Sequence, residues 1–84
     1  MEIIEFIAEN GVKYNAEILI KTNIGDTNYA ICENKLSSGE SQIVYVKIEL
    51  DANGRKVYSQ DIDEVDREKL DNLVLALIKE GQND

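Results

Sequence analysis

Ile4-Glu5-Phe6-Ile7-Ala8-Glu9-Asn10-Gly11-Val12-Lys13-Tyr14-Asn15-Ala16 decides how the chain begins to fold. Apolar and polar residues alternate on both sides of Asn10-Gly11, the signature of two strands joined by a tight reversal. A two-residue turn at Asn10-Gly11 would set Phe6 opposite Asn15 and Ile4 opposite Glu17, dividing the apolar side chains between two faces. A three-residue loop, Glu9-Asn10-Gly11 with Gly11 left-handed, instead pairs Ala8 with Val12, Phe6 with Tyr14 and Ile4 with Ala16. All six then share one face, so burial selects the bulged register.

Outward from this hairpin, glycine punctuates a chain that has five glycines and no proline. The β-branched and aromatic runs between the glycines predict strands at residues 2–8, 12–22, 27–33, 42–50 and 55–60. Short connections make neighbours in sequence antiparallel neighbours in space. In the second strand Val12, Tyr14, Ala16, Ile18 and Ile20 oppose Lys13, Asn15, Glu17 and Lys21. In the fourth, Val44, Val46, Ile48 and Leu50 oppose Lys47 and Glu49. Asn53-Gly54 predicts a two-residue hairpin that pairs Leu50 with Val57 and Asp51 with Lys56.

The period then changes. Leu70, Leu73, Val74, Leu77 and Ile78 recur at helical spacing, predicting an amphipathic helix over residues 64–80. Asp66 and Glu68 sit near its positive end, Lys79 near its negative end, and Gly81 stops it. The expected fold is a single α+β domain over residues 1–84. It is a five-stranded antiparallel β-meander with one C-terminal amphipathic α-helix packed on one face. The covered face should hold Phe6, Tyr14, Ile18, Val46 and Ile48 under the Leu70–Ile78 stripe.

Composition removes many chemistries. With 17 acidic and 9 basic residues the net charge is −8, which repels nucleic acid and anionic membrane surfaces. Histidine is absent, so the usual neutral-pH base, Ser-His and Cys-His pairs and most zinc sites are absent too. The single Cys32 lies in an apolar run with no basic neighbour and reads as a small packed hydrophobe. Asp61-Ile62-Asp63-Glu64-Val65-Asp66 opens like a calcium loop. However, Val65 stands where an oxygen ligand is needed, Asp66 where glycine is needed and Asn72 where a bidentate glutamate is needed. These carboxylates read as helix caps. No catalytic, cofactor-binding or metal-ligating residue is expected. A core this small also disfavours an internal small-molecule site, so no small molecule is predicted. The acidic opening Met1-Glu2-Ile3-Ile4-Glu5-Phe6 lacks the base of a signal peptide, no apolar run spans a bilayer, and one cysteine cannot make an internal disulfide. The expected location is cytoplasmic.

One helix covers one side of a five-stranded sheet, so the other side should be open. By alternation Ile3, Ile7, Leu19, Ile43 and Tyr45 belong to that open face, and the third strand should expose either Tyr29 and Ile31 or Ala30 and Cys32. Leu75 lies at the margin of the helix stripe. Ile3, Ile7, Leu19, Ile43, Tyr45 and Leu75 are therefore the candidate surface for a protein partner or a homodimer.

Several segments together resemble a known family. They are the apolar strand ending in Asn10-Gly11, Glu17-Ile18-Leu19, Asn28-Tyr29-Ala30-Ile31, Ile43-Val44-Tyr45-Val46 and Asp61-Ile62-Asp63-Glu64. From Glu5 to Ile78 the chain is similar to the YrzB-like small acidic bacterial proteins, a domain family of unknown function found mainly in Firmicutes. Members often carry a tryptophan early in the helix, where Leu70 stands, and a proline after the third strand, which has no counterpart in this chain. The resemblance implies a bacterial protein of this fold and compartment, and no activity. The leading expectation is a non-enzymatic protein-interaction module using the open sheet face or an edge strand. The alternative is a small-molecule or ion-sensing domain binding through loops such as Ser37–Ser41.

Overall fold

A computed structural model describes residues 2–81. Strands β1 (Glu2–Ile7), β2 (Lys13–Ile24), β3 (Thr27–Lys35), β4 (Ser41–Leu50) and β5 (Lys56–Ser59) precede one helix, α1 (Glu64–Gly81). The first hairpin adopts the bulged register, with Phe6 opposite Tyr14 and Ile4 opposite Ala16. The Ala8 amide donates to the Val12 carbonyl at 3.0 Å and the Gly11 amide to the Ala8 carbonyl at 2.9 Å. Gly11 sits at φ 82°, a left-handed conformation that would cost a side-chain-bearing residue about 1–2 kcal/mol.

Asn53-Gly54 repeats this three-residue loop and does not form the expected two-residue turn. The Asp51 amide donates to the Arg55 carbonyl at 2.8 Å, and Leu50 pairs with Lys56 and Glu49 with Val57. The Asp51 carboxylate also accepts from the Asn53 and Arg55 amides, each at 2.9 Å. Packing explains the shift. The observed register sets Tyr58 opposite Ile48, and both pack against the interior. The two-residue turn would have set Tyr58 opposite Glu49.

The sheet is not the open antiparallel meander that alternation predicts; it closes into a barrel with the order β1-β2-β3-β4-β5. Successive pairs are antiparallel, and an odd number of alternating strands leaves the first and last running the same way. The closing pair is accordingly parallel, with Ile7 beside Ser59 and the Gln60 amide donating to the Ile7 carbonyl at 3.2 Å. Closure consumes the face expected to lie under the helix. Ile4, Phe6, Ala16, Ala30, Cys32, Val44 and Val46 fill the barrel interior, with Ala8, Ile18, Ile48 and Tyr58 packed against them. Tyr14 reaches the barrel mouth, its ring 5.9 Å from that of Phe6, and is largely exposed.

The helix lies on the outside. Tyr29, Ile31 and Leu70 form a second cluster, joined by Ile20, Ile24, Tyr45, Ile62, Leu73 and Val74. A bulge between Ile18 and Ile20 leaves Leu19 without a partner and inverts the second half of β2. Ile18 therefore faces the interior, whereas Ile20 and Ile24 join the helix cluster. β3 is covered on both faces, and the expected exposure of one of its apolar pairs does not occur. Tyr29, Ala30, Ile31 and Cys32 are all buried. A continuous apolar run is the pattern of such a strand.

Candidate interaction surface

Asp63 starts α1. Its carboxylate accepts from the Asp66 amide at 2.8 Å and its carbonyl from the Arg67 amide at 3.0 Å, satisfying donors that a helix N-terminus leaves free. Two tyrosines then fasten the helix to the barrel. The Tyr29 hydroxyl donates to Asp66, and the Tyr45 hydroxyl donates to Asp71 at 2.5 Å. Arg67 reaches across to Glu9 at 3.3 Å. At the far end of the barrel Lys21 pairs with Glu2 at 3.0 Å, and that hydrogen bond lowers the Glu2 carboxyl and raises the Lys21 ammonium from their ordinary values. Burial pushes the Cys32 thiol up to about 11, which leaves it protonated and inert at neutral pH.

Burial first, and then the carboxylate partner, push both the Tyr29 and Tyr45 phenols up to about 12. A folded-state value above the ordinary one favours the folded state while the phenol is protonated. That contribution is complete below the ordinary phenol value of about 10 and is lost as pH rises towards about 12. Urea midpoints should therefore fall across this window, and Tyr29→Phe, which has no phenol to ionise, should flatten the fall. An identical alkaline profile in wild type and Tyr29→Phe would show that this group does not govern it.

The helix has 18 residues and spans about 27 Å, more than the barrel covers. Leu70 is fully buried and Leu73 and Val74 half-buried, but Leu77 is 38%, Ile78 50% and Leu75 56% exposed. Leu77 and Ile78, expected in the covered stripe, thus overhang the barrel. No charged residue occurs from Asn72 to Ile78.

The six candidate residues do not form one patch. Tyr45 faces outward but is covered by α1 and is only half exposed. Ile3 and Ile43 share one cross-strand row but are separated by Glu17 and Glu33, which pair with each other. Ile7 lies at the β1–β5 seam. Leu19 projects from the bulge and Leu75 from the helix, both exposed. Of the six, only Leu75 belongs to the overhanging apolar segment. The signal for the rest of that segment was in the sequence: a helix longer than the sheet's width, with the uncharged run Asn72–Ile78 just before its last turn.

A concavity at the barrel mouth was not expected from the sequence. The barrel mouth opens a space of about 430 Å³ floored by Phe6 and Val44 and rimmed by Tyr14, Asn34, Gln42 and Gln60. Asn34 and Gln42 are cross-strand partners, so register converges these polar groups. Among the described residues no group of three or more potential metal ligands occurs, and no helix is long and apolar enough to cross a membrane.

No family model, no curated protein and no solved structure matches the chain.

Proposed function

We propose that the chain is a non-enzymatic protein-interaction module that docks through the overhanging end of α1. The supporting observation is the exposure of Leu75, Leu77 and Ile78 on two consecutive uncharged turns. Leu75 and Ile78 lie one turn apart on the same side of the helix, with Leu77 beside the buried stripe, and apolar side chains exposed together at one end of an element are characteristic of docking surfaces. Barrel closure removes the open sheet face as the docking element. On the same reading the chain is a cytoplasmic protein and a divergent relative of the YrzB-like proteins. Its single cysteine, buried and unpaired, is in keeping with a reducing compartment.

A photo-crosslinking side chain placed at Leu75 should give a protein adduct in the native cell, while one placed at the exposed Glu40 of the β3–β4 loop should not. An empty result at Leu75 in a folded variant would refute the reading.

The barrel mouth supports a second reading, a small-ligand sensor for a neutral polar molecule. Its volume lies within the range of about 300–1,000 Å³ common to ligand sites, with an apolar floor and a carboxamide rim. A metabolite thermal-shift screen separates the two readings, because an interaction module should give no shift.

A further inference from the structure

Resting on that reading, we propose that the occupant of the α1 end is a second copy of this chain. The two helices cross antiparallel about a two-fold axis near Leu75. Two features of the molecule converge on this arrangement.

The first is charge. Two copies each carrying −8 repel over most of their surfaces. They can approach only where the local charge is low, and Asn72–Ile78 is such a segment. The second is self-complementarity. A two-fold axis at Leu75 places each residue as far before 75 in one copy as its counterpart lies after 75 in the other. Leu75 then meets Leu75, Ile78 meets Asn72, and Lys79 meets Asp71 of the second copy, all on the helix face that carries Leu75. Asp71 already accepts the Tyr45 hydroxyl through Oδ1, and a carboxylate has further acceptor capacity for an ammonium. One cation and one anion thus flank the apolar centre in the order that an antiparallel pair needs.

The test is sedimentation velocity of the full chain over a range of concentrations and at low and high salt, with variants of exposed residues. Wild type should shift from monomer to dimer with concentration. Because salt screens the repulsion between two acidic bodies, the dimer should tighten at high salt. Leu75→Lys should remain monomeric, with the melting temperature of dilute, monomeric wild type. Leu75→Cys should form a disulfide dimer on mild oxidation, since the axis brings the two thiols together. Val65→Cys, 64% exposed but nearly three turns away, should not.

A chain that stays monomeric throughout, or a dimer that survives Leu75→Lys, overturns the inference. If the Leu75 crosslinker captures only a different protein, the docking reading stands and self-association falls. If it captures nothing, both fall.

Discussion

Replacing Phe6 with alanine should cost about 3–5 kcal/mol, the usual range for deleting a buried aromatic side chain. A domain of 84 residues has a total stability of roughly 4–13 kcal/mol, so the variant should be largely unfolded at modest urea. The size of the effect follows from how the barrel is filled. Phe6 is 2% exposed and is the largest of the buried side chains in the barrel interior. Around it stand Ala16, Ala30 and Cys32, which are 4%, 0% and 0% exposed. A five-stranded barrel has little internal width, and this ring fills it together with Ile4, Val44 and Val46. The strands around it are held by their ladders, so the barrel cannot close fully over the space the ring would leave. Phe6→Leu keeps most of the volume and should cost far less. Chemical denaturation of both variants measures the difference. A loss below about 1 kcal/mol for Phe6→Ala would mean that the ring is not enclosed and that β1 does not seal the barrel against β5.

That enclosure is also where sequence reading reached its limit. Alternation at residues 4–16 established the first register correctly, because a slip would have put Ile4 and Phe6 in water. Alternation is a property of each strand, however, and says only that a strand has a covered and an uncovered side. It cannot distinguish a helix lying on the inward face from a sheet curling over that face. The distinguishing signs were in β2 and β3. Ile18-Leu19-Ile20 is three apolar residues in succession, which strict alternation does not produce and a bulge does. Tyr29-Ala30-Ile31-Cys32 is apolar on both sides, with the small residues on one side and the large ones on the other. Small residues belong inside a tightly curved barrel and large ones under a helix, a pattern consistent with two cores sharing one strand. The Asn53-Gly54 turn went the other way for a local reason. Asp51 offers its carboxylate to two loop amides, and that side-chain bonding stabilises the longer loop. The overhang of α1 depends on where the helix docks along the barrel, and this is set by Tyr29 and Tyr45, residues far from it in the chain.

The sharing of β3 between two cores gives the second large effect. Leu70 is fully buried against Tyr29 and Ile31, so Leu70→Ala should cost about 2–5 kcal/mol. The way that loss is distributed tells more than its size. If α1 were an accessory laid on a finished barrel, weakening its contact would let it detach first, and helical signal would melt before sheet. The strand beneath argues otherwise. Ala30 and Cys32 hold one face of β3 in the barrel while Tyr29 and Ile31 hold the other under the helix. Releasing α1 would expose Tyr29, Ile31, Ile20 and Ile24 to water together and would break the Tyr29–Asp66 and Tyr45–Asp71 hydrogen bonds. Each fully buried side chain of this kind is worth about 1.5–3 kcal/mol, so a barrel without its helix would have little stability left. Leu70→Ala should therefore lower the midpoint while keeping one cooperative transition, with tyrosine fluorescence and helical circular dichroism coinciding. Separate transitions for the two probes would show that the barrel stands alone and that the helix is free to leave it.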